Sequence, residues 1–226
     1  MEEGGLATGG RSAAATGAWI CFEDEAGQGL RPPRARTWGR RGQTPVVHVR
    51  GGGTGHVSIA GMVCYKLGER SRLIYRLHLF RGRKDESKSF AWTDYRDLII
   101  AAHRQLDAPI VLVWDNLGRH LVPGMKAFAA EHAEWLTIFQ LPSYAPDLNP
   151  AEGIWSLLKR GVLANLVLAG LPPLVRIVKR GLKKIQYRPH LIDGCLARDR
   201  SDLDLHQHEP TRLHELKISS FQQPAG

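Results

Sequence analysis

The stretch APIVLVWDN, residues 108–116, decides the fold. Its nearly continuous apolar run leaves no polar face for solvent, so it reads as a strand in the interior of a sheet, covered on both sides. The run ends abruptly in Asp115 and Asn116. In open α/β sheets, ligands collect outside the carboxyl ends of such strands, which makes Asp115 a candidate for chemistry. An ordinary Asx turn is the simpler reading of the same two residues.

The segments on either side set this strand in context. DESKSFAWTDYRDLIIAAHRQL (85–106) spaces Phe90, Tyr95, Leu98, Ile99 and Ala102 as a helix does. Before it, AWICFEDE (18–25), GHVSIAGMVCYK (55–66) and RLIYRLHLFRG (72–82) read as strands of an antiparallel meander, with a turn near Gly68. VVHVRG, from residue 46, reads as the start of a strand. After it come a helix over 121–133, the strand WLTIFQLP (135–142), a helix from Pro150 to about Ala164 and another from 171 to about 186. Three antiparallel strands followed by β-α-β units predict an α/β fold, a mixed five-stranded sheet flanked by helices. Residues 1–17 are expected to be a flexible lead-in, 18–198 one domain, and 199–226 a loose polar tail.

Of the 226 residues, 43% are apolar, enough for a sizeable core. Lys and Arg outnumber Asp and Glu by 31 to 22, so either a polyanion such as nucleic acid is the partner or the chain is simply a basic enzyme. Arg31, Arg34, Arg36, Arg40 and Arg41 crowd into one Gly- and Pro-containing loop. Cys21, Cys64 and Cys195 are scattered without zinc-ligand spacing, which argues against a zinc site and fits a reducing cytoplasm. No signal peptide and no apolar run of about 18 residues is present, so no membrane span is expected.

Two further acids can join Asp115. Asp24 lies near the end of the first strand and shares a face with Ile20 and Phe22, although Glu23 and Glu25 are equally prominent neighbours. Glu152 lies in LPSYAPDLNPAEGIW (141–155). There Asn149 as N-cap, Pro150 at N1 and Glu152 at N3 make a capping-box pattern. The same turn can also aim Glu152 as a ligand, and the residues alone leave both readings open. If the first and fourth strands are neighbours, the three carboxylates converge. Clustered carboxylates repel one another, and hard divalent cations relieve that repulsion. Two such ions about 4 Å apart suit in-line phosphoryl displacement.

Four segments carry a family resemblance. CFEDEAG is similar to a first catalytic strand whose acid precedes a glutamate. RTWGRRGQTP looks like a Trp-x-x-x-Gly-x-x-Pro hairpin. VLVWDNLGRH is similar to a second-aspartate motif, Asp-Asn-x-x-x-His. LPSYAPDLNPAEGIWSLLKR resembles Pro-Asp/Glu-Leu-Asn-Pro-x-Glu-x-x-Trp-x-x-x-Lys. Together, over roughly residues 18–198, they resemble the catalytic domain of the mariner-like Asp-Asp-Glu transposases of bacterial insertion sequences. The resemblance implies a ribonuclease H-like fold and Asp24, Asp115 and Glu152 as ligands of two divalent metal ions, Mg2+ with Mn2+ as substitute. It also implies cleavage and transfer of DNA strands at element ends. Asn116 and His120 would stand beside the second aspartate, with His120 orienting a ligand or the DNA or making a structural hydrogen bond. Lys159 and the five arginines would contact phosphates of double-stranded DNA, both element end and target.

Relatives carry helix-turn-helix domains ahead of this domain, and residues 1–17 are too few to hold them. A homodimer or a separate end-binding chain would then supply end recognition. The expected place is the bacterial cytoplasm, at the nucleoid. The rival from another class is an inactive transposase remnant that only binds DNA or another protein. A general ribonuclease H-like nuclease is a third reading.

Overall fold

The computed structural model describes residues 17–43, 45–46, 48, 55–115, 117–141 and 149–201. Five strands form one sheet: β1 (Trp19–Gly29), β2 (His56–Tyr65), β3 (Arg72–Phe80), β4 (Ile110–Trp114) and β5 (Leu136–Gln140). The helices are α1 (Trp92–Leu106), α2 (Pro123–Glu131), α3 (Ala151–Arg160), α4 (Leu171–Gln186) and α5 (Pro189–Ser201). The strand order is β3-β2-β1-β4-β5, so β1 and β4 are neighbours. β1, β2 and β3 pair antiparallel, whereas β4 runs parallel to both β1 and β5.

The alternation of β1 sorts its side chains between two cores. Phe22 and Ala26 pack on one face with Ile154, Trp155, Leu158, Leu174, Val178 and Leu182, from α3 and α4. Trp19 and Cys21 pack on the other with Tyr95, Leu98, Trp114 and Met125, from α1, β4 and α2. All five residues of β4 are buried: Ile110, Leu112 and Trp114 in the core with α1 and α2, Val113 in the core with α3, and Val111 against Ala18, Ile20 and Phe139. Among the described residues no helix is long and apolar enough to cross a membrane.

Several expected boundaries move. β1 runs on through Gly29, because its pairing with β2 continues to Gly29 opposite His56. β4 accompanies it only from Trp19 to Phe22. Asp24 therefore lies within β1, yet just past the last rung shared with β4. The expected helix from 85 begins only at Trp92. Asp85 has φ 66°, and the Glu86 carboxylate accepts hydrogen bonds from the Arg81 and Arg83 amides, tying this stretch to the end of β3. Val46 and His48 lie in no strand, and the rest of the expected VVHVRG strand falls outside the described residues. α5 continues past residue 198, the expected domain limit; residues 1–16 and 202–226 lie outside the described residues.

Gly61, opposite Asp24 on β2, is a contact point between sheet and helix. A Cβ at this position would lie 2.5 Å from the Trp155 ring. The absent side chain lets the indole lie against the strand. Gly61→Ala should therefore cost about 1–3 kcal/mol through overpacking, read as a lower urea midpoint. An unchanged midpoint would mean that the ring moves aside freely.

Candidate active site

Asp24 stands on the α3 side of β1. Its Oδ2 accepts a hydrogen bond of 2.8 Å from Trp155 Nε1, one turn along the helix that carries Glu152. Burial pushes the Asp24 carboxyl up to about 7, and the negative charges of Glu152 and Glu23 add to that, while the Trp155 bond opposes it. The start of α3 is fastened to β1 by Asn149. Its Nδ2 donates to the Glu23 carbonyl at 3.2 Å, and its Oδ1 accepts from the Ala151 amide at 3.1 Å. The expected capping box does not form. The helix begins one residue later, at Ala151, and Pro150 takes the cap position. Glu152 is exposed, and among the described residues its carboxylate takes no hydrogen bond. The turn thus leaves Glu152 open beside Asp24 instead of consuming it as a cap.

Asp115 follows β4, two residues past Val113, which pairs with Phe22. Extending that register brings Asp115 level with Asp24. Its carboxylate is engaged through one oxygen. Oδ1 accepts the Leu117 amide at 3.0 Å, an Asx turn, and lies 3.2 Å from His120 Nδ1. The His120 contact holds the Asp115 carboxyl below its ordinary value, with the Leu117 amide helping against partial burial. Asn116 lies outside the described residues, as do 142–148 of the third motif.

His120 connects two acids. It is 4% exposed, stacks on Trp114 with ring centroids 4.1 Å apart, and meets Tyr95 edge-on at 4.9 Å. Its Nε2 approaches Glu23 Oε2 within 3.2 Å, although the pair is not aligned as a hydrogen bond. Burial alone would lower the imidazolium's pKa, but Asp115 and Glu23 outweigh it and push it up to about 9. Glu23 is 1% exposed, and burial raises its carboxyl despite the attraction of His120. The result is a Glu23–His120–Asp115 chain that runs from the core to the exposed end of β4.

Sequence reasoning missed Glu23, and Glu25 with it. Glu25 accepts from Tyr95 Oη at 2.5 Å and Ser89 Oγ at 2.9 Å, and lies 3.9 Å from Arg119. The available signal was two acids on the strand face that also carries Trp19 and Cys21.

Trp155 therefore ties Asp24 to the helix that carries Glu152, and Asp115 lies level with Asp24 but is turned toward His120. Among the described residues no group of three His, Cys, Asp or Glu side chains is drawn together tightly enough to hold a metal ion. The chemistry of the donors still fits a hard divalent cation. They are carboxylate oxygens, and the Asp24 carboxyl is raised first by burial and then by the negative charges of Glu152 and Glu23. Lys159 is half-buried two turns beyond Glu152 on the same helix. Leu157 is 38% exposed, because Ile154, Trp155 and Leu158 already fill the buried face of α3. Arg31, Arg34, Arg36, Arg40 and Arg41 are all exposed on the loop after β1.

Residues 19–169 match the model of a family described as DDE superfamily endonuclease. A protein of Sinorhizobium fredii (strain NBRC 101917 / NGR234), described as uncharacterized protein y4pE/y4sA, is 32% identical over 60 residues, covering 26% of this chain and 41% of that one. Among solved structures, the Mos1 transposase paired-end complex with left transposon end aligns with TM-score 0.50 at 18% identity, over 80% of this chain and 55% of that chain. The Mos1 mariner paired end complex with Mn gives TM-score 0.50 at 16% identity, over 80% of this chain and 55% of that chain. The complex with Mg gives 0.50 at 16%, over 88% and 63%. The sheet and its flanking helices are the ribonuclease H-like fold, and the chain spans little more than half the length of the first two of these structures.

Proposed function

Because the chain belongs to the DDE superfamily endonucleases, we propose that it is the catalytic part of a transposase, cleaving DNA strands and transferring them with the help of divalent metal ions. The observation that carries this reading is the β1–β4 pairing that brings Asp115 level with Asp24, together with the Trp155 bond that ties Asp24 to the helix whose first turn carries Glu152. Asp24, Asp115 and Glu152 would hold Mg2+ or Mn2+, with Asp115 offering the oxygen that His120 does not engage. Such ions acidify the attacking hydroxyl and stabilise the leaving oxygen. The chain's own residues set the positions. Trp155 holds Asp24, Asn149 fixes the start of α3 against β1, and His120 orients Asp115.

Lys159 and the five loop arginines would contact the phosphates of double-stranded DNA. Partner domains for element ends, whether in a second copy or another chain, would supply sequence recognition. The likeness to structures holding transposon-end DNA agrees with such a substrate. The test is nicking of supercoiled plasmid with magnesium, with manganese and with EDTA, for wild type and Asp115→Asn. Nicking that needs metal and disappears in the variant is expected. Joining of the cut strand to a second DNA separates a transposase from a simple nuclease. A folded protein that binds DNA but never nicks it would support the inactive remnant, which the engagement of Asp115 by His120 favours.

A further inference from the structure

α4 carries Arg176, Lys179, Arg180, Lys183 and Lys184 and no acidic residue. All five cations are exposed, whereas Leu174, Val178, Gly181, Leu182 and Ile185 hold the opposite face in the core. Among the described residues none of the five forms an ion pair, although the other side of the sheet pairs its charges. There Arg76 meets Asp94 and Asp97, and Arg96 meets Asp97. On the side toward which Asp24 points, these five cations form an unbroken run with no acid among them.

Geometry links this face to the loop arginines. Asn165, in the turn before α4 with φ 53°, donates from Nδ2 to the Ala35 carbonyl at 2.9 Å and accepts from the Ala35 amide at 3.0 Å. The Asn165 amide also donates to the Pro33 carbonyl at 2.9 Å. Arg34 and Arg36 flank the clamped residue. The helix then runs the length of the sheet. Leu171 sits over Gly55 at the start of β2, and Gln186 donates to the Leu73 carbonyl at 2.7 Å at the start of β3. From Arg176 to Lys184 the cations span about 12 Å of helix axis, the axial reach of about three or four phosphates on one strand of a duplex.

We propose that this face of α4 is a second binding surface for duplex DNA, continuous through Asn165 with the arginine loop and leading the duplex away from the carboxylate site. It rests on the reading of DNA as substrate. A rigid line of cations joined to a second basic segment suits a stiff, evenly charged backbone.

The test compares wild type with a variant carrying Lys179→Gln, Arg180→Gln, Lys183→Gln and Lys184→Gln, which keeps helix-forming side chains. Binding to a duplex oligonucleotide is measured across salt concentrations. Each phosphate contact removed lowers the steepness of log K against log salt by about 0.9. The slope should therefore fall by about three to four, with more than about tenfold weaker binding at moderate salt. The pair Lys179→Gln with Lys183→Gln should lose about half as much, which guards against a fold defect in the larger variant. A wild type that nicks plasmid while both variants keep its slope overturns the α4 surface alone. A wild type that binds no duplex overturns it together with the proposed function.

Discussion

In the metal-free protein near pH 8, Asp24→Asn should raise the unfolding midpoint, although it removes a proposed metal ligand. The folded protein keeps the Asp24 proton up to about pH 7, whereas the unfolded chain releases it near the ordinary 3.8. Between those values the folded state binds more protons, so this residue's contribution to stability declines as pH rises through that window. Above it the folded state carries a partly buried, uncompensated carboxylate. Asn removes that charge and can still accept the Trp155 N–H. The solvent nearby reduces the gain to about 1–2 kcal/mol, and it should vanish below about pH 3, where both states hold the proton. Manganese should stabilise the wild type more than the variant, which keeps only Asp115 and Glu152 to attract it. Calorimetry at both pH values with and without manganese reads all three effects. A metal-free variant less stable than wild type near pH 8 would show that the Asp24 charge is already compensated.

His120→Ala should have the larger cost. It leaves Glu23, 1% exposed, without its cation and opens a space against Trp114 and Tyr95. Breaking a buried pair from one side costs about 3–5 kcal/mol, measurable by urea denaturation. Replacing both members, Glu23→Leu with His120→Leu, should recover most of that, because no lone charge remains. The imidazolium's contribution is present below its ordinary 6.5 and is lost as pH rises through about 9. A single-variant loss below about 1 kcal/mol would mean that Glu23 is already protonated and neutral in the folded protein.

Local patterns carried much of the fold. The apolar run of β4 needs cover on both faces whatever surrounds it. The spacing of Leu174, Val178, Leu182 and Ile185 sets α4 to the boundaries expected from it. The differences arise where distant partners decide. β1 is long because β2 accompanies it to Gly29. The residues from 85 stay out of α1 because Glu86 turns back to β3. At the site, Asp24, Asp115 and Glu152 could be proposed from sequence because the motifs that carry them are contiguous. Glu23 was not. Its importance comes from His120, nearly one hundred residues away in sequence and brought beneath β4 only by the completed sheet. The cations of α4 were visible in sequence as a helix's solvated side. Their significance emerges only with the pairing of charges on the opposite layer and the Asn165 clamp.

That clamp has a consequence for association rate. A loop rich in arginine and glycine ordinarily samples many conformations, and a ligand must select among them. Two side-chain amide bonds at Ala35 and a backbone bond at Pro33 restrict this loop during folding instead. Its guanidinium groups hang from an anchored stretch of backbone. A passing duplex therefore meets a basic surface that is partly organised, and less ordering stands between encounter and capture.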